Sequence, residues 1–266
     1  AGGDMGSLLG WYLELTLGDI VTQSDAFGQY EFRNLPPGPM EIRQELTHQR
    51  RPTNPSPMVD TIIEDFESGI GNYVQVESGQ TSALSALAAY SGSQGLSAGG
   101  WIHGNASAPK VHAGDTITGY IRFSDNSGEL AHLGFGADGS RTLACAVFTG
   151  VPGSSPGWLE IQELVSYDPG GTWPWDEPMQ YTLARFEFDD VLLPNPWYRL
   201  EVDWGQDNSI VARLYEPNGT KVGQLAAHVP WQLDEGTLAF RGRLTPADDE
   251  VWFDRISVRR DGHHPV

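Results

Sequence analysis

The chain has 266 residues, with 16 lysines plus arginines against 35 aspartates plus glutamates and a formal charge of −19. That balance works against partners that present dense negative charge, so neither nucleic acid nor an anionic membrane is expected. With 32 glycines, 18 prolines and 9 tryptophans, and no long Ala/Leu/Glu/Lys periodic run, the composition favours an all-β fold with many turns.

In chain order, residues 1–46 carry three strand signals: Trp11–Leu17, Tyr30–Arg33 and Met40–Leu46. Turns are marked at Ser24 to Gly28 and at Pro36-Pro37-Gly38. Residues 47–58 are polar and carry Pro52, Pro55 and Pro57, which reads as a semi-rigid extended linker. The segment Thr81 to Tyr90 is the one helix-like stretch, and it is short enough to be a loop or a strand. Beyond it, Asp115–Phe123, Trp158–Leu164, Tyr198–Val202, Ser209–Tyr215, Thr237–Phe240 and Val251–Val258 each show period-two alternation. Turn residues separate them, as at Asp125-Asn126-Ser127-Gly128, Asp138-Gly139 and Pro217-Asn218-Gly219. The pattern predicts one antiparallel β-sandwich of the jelly-roll kind over 59–260, with a short tail at 261–266. Cys145, alone in an apolar run, is expected to be a small core residue, and no intrachain disulfide is possible. No apolar run of about 18 residues occurs, so no membrane insertion is predicted. No leader is recognisable after Ala1; removal of one from a precursor fits an extracellular or cell-surface protein.

The stretch S-D-A-F-G-Q-Y-E-F-R-N-L-P-P-G, Ser24 to Gly38, resembles the Cna-B and carboxypeptidase-regulatory class of transthyretin-like β modules. The resemblance implies a spacer. It covers about residues 10–46 and lacks the family's upstream strands, so a truncation at Ala1 or a strand donated by another chain is implied. Residues 60–260 are similar to the concanavalin A-like lectin/glucanase superfamily. Five pieces in order carry this: D-F-E-S-G (Asp65 to Gly69), A-Y-S-G-S-Q-G-L (Ala89 to Leu96), W-Y-R-L-E-V-D-W (Trp197 to Trp204), V-A-R-L-Y-E-P-N-G-T (Val211 to Thr220) and V-W-F-D-R-I-S-V (Val251 to Val258). The family's usual second aspartate in the last piece is Arg255 here.

That resemblance implies a structural calcium ion shared by an acid near the first strand and one on the last. By position these are Glu67 and Asp254, with oxygens near Ser91 and Ser93. It also implies a polysaccharide or other glycan as partner. The richest local match is the Gly/Pro-rich stretch Tyr167 to Tyr181, which offers Trp173 and Trp175 as stacking surfaces. Tyr167, Asp176, Glu177 and Tyr181 complete that candidate site. Trp101, Trp197 and Trp252 fall in strand patterns and are expected in the core.

Two other functions compete with a lectin-like module. Glucanases of the superfamily carry acids on one strand as E-x-D-x-E or E-x-D-x-x-E. The nearest match is L-E-I-Q-E-L, in which Glu160 and Gln162 share a face and Glu163 points away. The middle acid is an amide, so Glu160 is expected to pair or hydrogen-bond on the sheet, and no catalytic residue is assigned. A polysaccharide lyase would draw on His103, Tyr120 and Arg122 if they converged. The remaining reading is an adhesin or filament subunit that self-associates through its N-terminal module by strand complementation.

Overall fold

The structure is a computed structural model, and it describes residues 12–15, 20–23, 42–45, 60–76, 81–138, 141–165, 179–231, 233–243 and 250–260. Two compact units divide the chain, Ala1–Pro57 and Met58–Val266. In the first, β1 (Tyr12–Leu15) lies between β2 (Ile20–Gln23) and β3 (Ile42–Glu45) as a three-stranded antiparallel sheet. The strand Ile20–Gln23 was not expected from the sequence. The hairpin at Ser24 to Gly38 and the linker at 47–58 lie outside the described residues.

The second unit is all-β, with two antiparallel eight-stranded sheets packed as a sandwich of the jelly-roll type. Sheet I runs in the order β17 (Lys221–His228), β16 (Ser209–Tyr215), β15 (Trp197–Trp204), β10 (Asp115–Phe123), β19 (Val251–Arg260), β7 (Gly95–Ala98) and β6 (Ala83–Ser85). β4 (Asp60–Glu64) also pairs with β19, along its second half. Sheet II runs β14 (Met179–Glu187), β13 (Trp158–Val165), β12 (Arg141–Phe148), β11 (Leu130–Ala137), β18 (Glu235–Arg243), β8 (Ile102–Gly104) and β5 (Tyr73–Gln75). β9 (Lys110–His112) pairs with the start of β18.

Alternation decides which side chains fill the sandwich. From sheet I, Ile117, Ile121, Leu200, Val202, Leu214 and Phe253 point inward; from sheet II, Leu133, Phe135, Leu143, Cys145, Ile161 and Phe240 meet them. Cys145 is thus a core residue, and burial pushes its thiol pKa far above the ordinary value. Trp204 is in this core; of the tryptophans expected there, Trp101 and Trp252 are buried as expected but lie outside this central cluster, and Trp197 is half-buried. Trp101 belongs to a separate apolar cluster with Ala144, Leu164 and Ala239, while Trp197 and Trp252 sit on the outer face of sheet I. The physical reason is parity: each is offset by an odd number of residues from its inward-facing neighbours.

Close backbone contact fixes some positions as glycine. In β11 the pairing shifts between Gly134 and Ala137, and Gly136 there has φ +66°. That bulge presses Gly136 against Gly236 of β18. A Cβ on Gly236 would stand 2.2 Å from the carbonyl carbon of Gly136, too near for any atom. Gly236→Ala is expected to cost about 3 kcal/mol in urea unfolding, with an unchanged dependence on denaturant.

Candidate functional site

The outer face of sheet II is unusual because it is buried like the inner one. β11 and β12 expose almost nothing on either side, which is why L-A-H-L-G-F-G-A and R-T-L-A-C-A-V-F lack clean alternation. Cross-strand register builds this face in two rows. In one, Gln162 of β13 neighbours Thr182 of β14 on one side and Ala144 of β12 on the other; Gly134, Ala239 and His103 continue the row. In the second, Arg185, Glu160, Ala146, His132 and Arg241 follow one another.

The middle of the first row is Ala144, Gly134 and Ala239, and the second has Ala146 beside His132; Trp101 packs on Ala144 and Ala239 with Leu164. At the β13–β14 end, Glu160 is 1% exposed and is the centre of a polar cluster. Its carboxylate accepts hydrogen bonds from Gln162 Nε2 (2.5 Å) and Thr182 Oγ1 (3.3 Å), and it forms an ion pair with Arg185 Nε. The Arg185 guanidinium also lies 4.6 Å from the ring centre of Trp158. Toward the opposite end is Trp101, whose ring centre is 5.0 Å from that of His132 and 5.7 Å from the Arg241 guanidinium carbon. Beside it, His103 Nδ1 is 3.0 Å from the Gly104 carbonyl, and burial lowers the imidazole pKa below its ordinary value. A cavity of about 570 Å³ opens at this end, lined by His103, Asn105, Lys110, Asp138 and Glu235 among others.

Two buried polar atoms on this face have no hydrogen-bond partner among the described residues: Gln162 Oε1 and Thr142 Oγ1. A buried acceptor left without a donor costs about 1–3 kcal/mol. A ligand hydroxyl that donates to it recovers that cost. The face thus joins a charged cluster at one end, a buried aromatic cluster packed on small residues, and unspent hydrogen-bonding capacity at Gln162 and Thr142.

The sequence motif L-E-I-Q-E-L behaves as its parity dictates. Glu160 and Gln162 share the outer face, and Glu163 pairs with Leu143 on the inner side. The bulge between β13 and β14 places its extra residue in β14, so it does not turn Glu163 round. The trio His103, Tyr120 and Arg122 does not converge. His103 lies on the outer face of sheet II, whereas Tyr120 and Arg122 alternate with the inward Ile121 on β10 and face out from sheet I. The whole sandwich separates them.

Of the aromatic loop site, Tyr167, Trp173, Trp175, Asp176 and Glu177 lie outside the described residues. Tyr181 is half-exposed on β14 and pairs with Glu163, so it sits on the side opposite Glu160. Sequence reasoning missed Arg185, His132, Thr142 and Arg241, because only strand pairing brings them together. The available signal was the run of small residues in β11 and β12.

Of the predicted calcium residues, Glu67 meets Ser93 and Asp254 meets Ser91, at a break in sheet I. β7 pairs with the first half of β19 and β4 with the second, and Asp254 lies between. Asp254 Oδ2 accepts from the backbone N–H of Tyr90 (2.7 Å) and Ser91 (2.9 Å), and Oδ1 from that of Arg255 (2.6 Å). Glu67 Oε1 accepts from the N–H of Ser93 (2.6 Å) and Gln94 (3.0 Å), while Oε2 takes the Ser93 hydroxyl (2.5 Å). Asp254 has no exposed surface; burial raises its pKa above the ordinary carboxylate value, and Asp65 adds to the rise. The exposed Glu67 is shifted the other way by its bonds to Ser93 and Gln94. Among the described residues, no group of three or more His, Cys, Asp or Glu side chains is placed to hold a metal ion.

No protein-family model matches the chain. No curated protein matches it in sequence. Among solved structures it is similar to the carbohydrate-binding module CBM66 from Bacillus subtilis, at 13% identity over 71% of this chain and 95% of that one, with a TM-score of 0.46. It is also similar to a Bacillus subtilis protein of unknown function with a galectin-like fold (11% identity, 73% and 91% covered, TM-score 0.45). A third is lectin II from Ulex europaeus (11% identity, 71% and 92% covered, TM-score 0.42).

Proposed function

We propose that the chain is a glycan-binding module of an extracellular or cell-surface protein, with its ligand seated on the outer face of sheet II. One observation carries this: the outer face of sheet II joins the Glu160–Gln162–Arg185 cluster, with Gln162 Oε1 unpartnered among the described residues, to an end where a cavity of about 570 Å³ opens beside His103. The half-exposed planar guanidinium of Arg185 suits ring hydroxyls. Binding is favoured over hydrolysis by the group beside Glu160. That group is the Gln162 amide, where retaining hydrolysis uses a second carboxylate about 5–5.5 Å away. Trp173 and Trp175 would extend the site, and residues 1–46 would serve as a transthyretin-like spacer.

The test is retention of the full chain on a panel of plant, algal and microbial polysaccharides. Retention on one class, weakened about tenfold or more by Gln162→Ala and by Trp173→Ala or Trp175→Ala, supports the reading. A folded chain retained on none of them overturns it and brings the self-associating adhesin forward. Sedimentation with and without residues 1–50 then tests that alternative.

Calcium belongs to the same proposal. Glu67 and Asp254 would hold the ion with loop oxygens of Ser91 and Ser93, and the ion would pin the first and last strands. Fitting this, the buried Asp254 carboxyl faces neutral N–H groups and the like charge of Asp65. Against it, each carboxylate oxygen already accepts a hydrogen bond. The raised pKa makes the outcome pH-dependent. The folded Asp254 keeps its proton to higher pH than the unfolded one, so its stabilising contribution is present below about pH 4 and lost as pH rises through the raised value. Calcium is expected to raise Tm near neutral pH and to have little effect below about pH 4. A Tm unmoved by millimolar calcium or by chelator at neutral pH removes the ion from the reading.

A further inference from the structure

The opposite face of the sandwich carries a second constellation. On the outside of sheet I, Arg122 of β10 lies between Trp197 of β15 and Trp252 of β19. Its guanidinium carbon is 4.3 Å from the Trp252 ring centre and 5.8 Å from that of Trp197. The next row places Tyr120 between Arg199 and Asp254. A short 3-10 turn, Ala86–Ala88, and the residues after it fold over these strands. The Leu87 carbonyl accepts a hydrogen bond from Arg122 Nη1 (3.3 Å). Tyr90 stacks on Tyr120 with ring centres 3.8 Å apart and 15° between planes, and it meets Trp197 edge-on at 5.6 Å. Tyr90 and Leu87 stay exposed, at 39% and 64%.

Two arginines of this platform are left without a carboxylate partner among the described residues. Acidic residues outnumber basic ones 35 to 16 overall. Yet the ion pairs among the described residues include neither Arg122 nor Arg255. Arg122 Nε is buried with no acceptor among the described residues. Arg255 occupies the bulge of β19 with φ +49°, a conformation rare for residues other than glycine, and its side chain is exposed. It lies near enough to Tyr120 to act electrostatically on the phenol, as Arg199 does. The nearest carboxylate in register, Asp254, is sealed under Tyr90 and Ser91 and is spent on backbone N–H groups.

We infer that this face is a second glycan site, selective for a sugar that bears one isolated anionic group, a carboxylate or a sulfate. The pyranose ring lies on Tyr90 and Leu87, and its anion meets Arg122 and Arg255. Aromatic stacking supplies contact area at low entropic cost, and arginine supplies a planar fork for the anion. A densely charged polymer is disfavoured, because the pull of the two arginines is screened beyond about 8 Å and the rest of the ligand lies against the surface of a chain of charge −19. The site goes beyond the sheet II reading and uses none of its residues.

Calorimetric titration of the full chain tests it with three probes: a neutral oligosaccharide, the same oligosaccharide ending in glucuronate, and its singly sulfated form. At least one acidic probe is expected to bind about tenfold or more tighter than the neutral one, and comparing the two acidic arms identifies the anion. Tyr90→Ala and Arg122→Gln should each weaken that probe about tenfold, Arg255→Gln should weaken it too, and Tyr90→Phe should retain it. Thermal melts establish that each variant is folded. The inference is overturned if neither acidic probe is preferred, or if folded Tyr90→Ala and Arg122→Gln bind as the parent chain does. It falls equally if Gln162→Ala abolishes acidic-sugar binding while Tyr90→Ala leaves it, since the sugar then sits on sheet II. The sheet II reading rests on other residues and other ligands, so the two fail separately.

Discussion

Replacing Arg185 by methionine is expected to lower the free energy of unfolding by about 3 kcal/mol, and adding Glu160→Gln to that variant is expected to restore more than half of the loss. The asymmetry follows from exposure. Arg185 keeps 46% of its side-chain surface in water, whereas Glu160 keeps 1%. Losing the arginine alone leaves a buried carboxylate with only Gln162 Nε2 and Thr182 Oγ1 as donors. A neutral amide at position 160 removes the charge that made the loss costly. Urea unfolding of both single variants and the double variant reads this as a cycle, with additivity as the contrary result. Additive losses would mean that the guanidinium acts on Trp158, over which it lies at 4.6 Å, more than on Glu160. Glycan retention separates the roles further. If Glu160 positions this cluster, the double variant recovers stability but not binding.

Legibility from sequence divides along the physics of alternation. Strands with one wet face and one dry face were readable: Asp115–Phe123 and Ser209–Tyr215 match to the residue, and Trp158–Leu164 differs only at its end. β11 and β12 are dry on both faces and show no period of two, and they were not predicted. The same two strands make the middle of the candidate face, so missing them meant missing the site. Glu160 was readable as a hydrogen-bonded group because parity within one strand decides it. Its partner Arg185 was not, since the pairing spans 25 positions and passes a bulge. The meeting of Glu67 with Ser93 and of Asp254 with Ser91 came from the resemblance of terminal motifs, and no periodicity contains it. The separation of His103 from Tyr120 and Arg122 shows the converse. Residue types suited to one chemistry mean little until the sheet of each is known.

The largest loss of stability is expected from Phe240→Ala, about 4–5 kcal/mol. Phe240 has no exposed surface and touches both sheets and the chain between β4 and β5. Its ring meets Phe66 at 5.4 Å and 71°, Tyr73 at 5.6 Å and 63°, and Phe253 of β19 at 5.3 Å and 59°. Phe253 belongs to sheet I and Phe240 to sheet II, so this ring is a bolt between layers. The bolt also carries a polar fixture. The Tyr73 hydroxyl donates to Glu64 Oε2 (2.9 Å), the Phe66 N–H donates to Oε1 (2.8 Å), and burial raises the Glu64 pKa. An alanine at 240 removes the wall that keeps Phe66 and Tyr73 in place, so the cavity term adds to the lost transfer free energy and the surroundings cannot close it cheaply. Phe240→Leu keeps most of the volume and should cost about 1–2 kcal/mol. Tyr73→Phe, which removes one hydrogen bond from a buried carboxyl, should cost about 1–3 kcal/mol. Guanidinium unfolding at constant slope ranks the three. An alanine variant no less stable than the leucine variant would mean that the sheets close over the gap, and the two layers would then be held by their aliphatic pairs instead of this aromatic cluster.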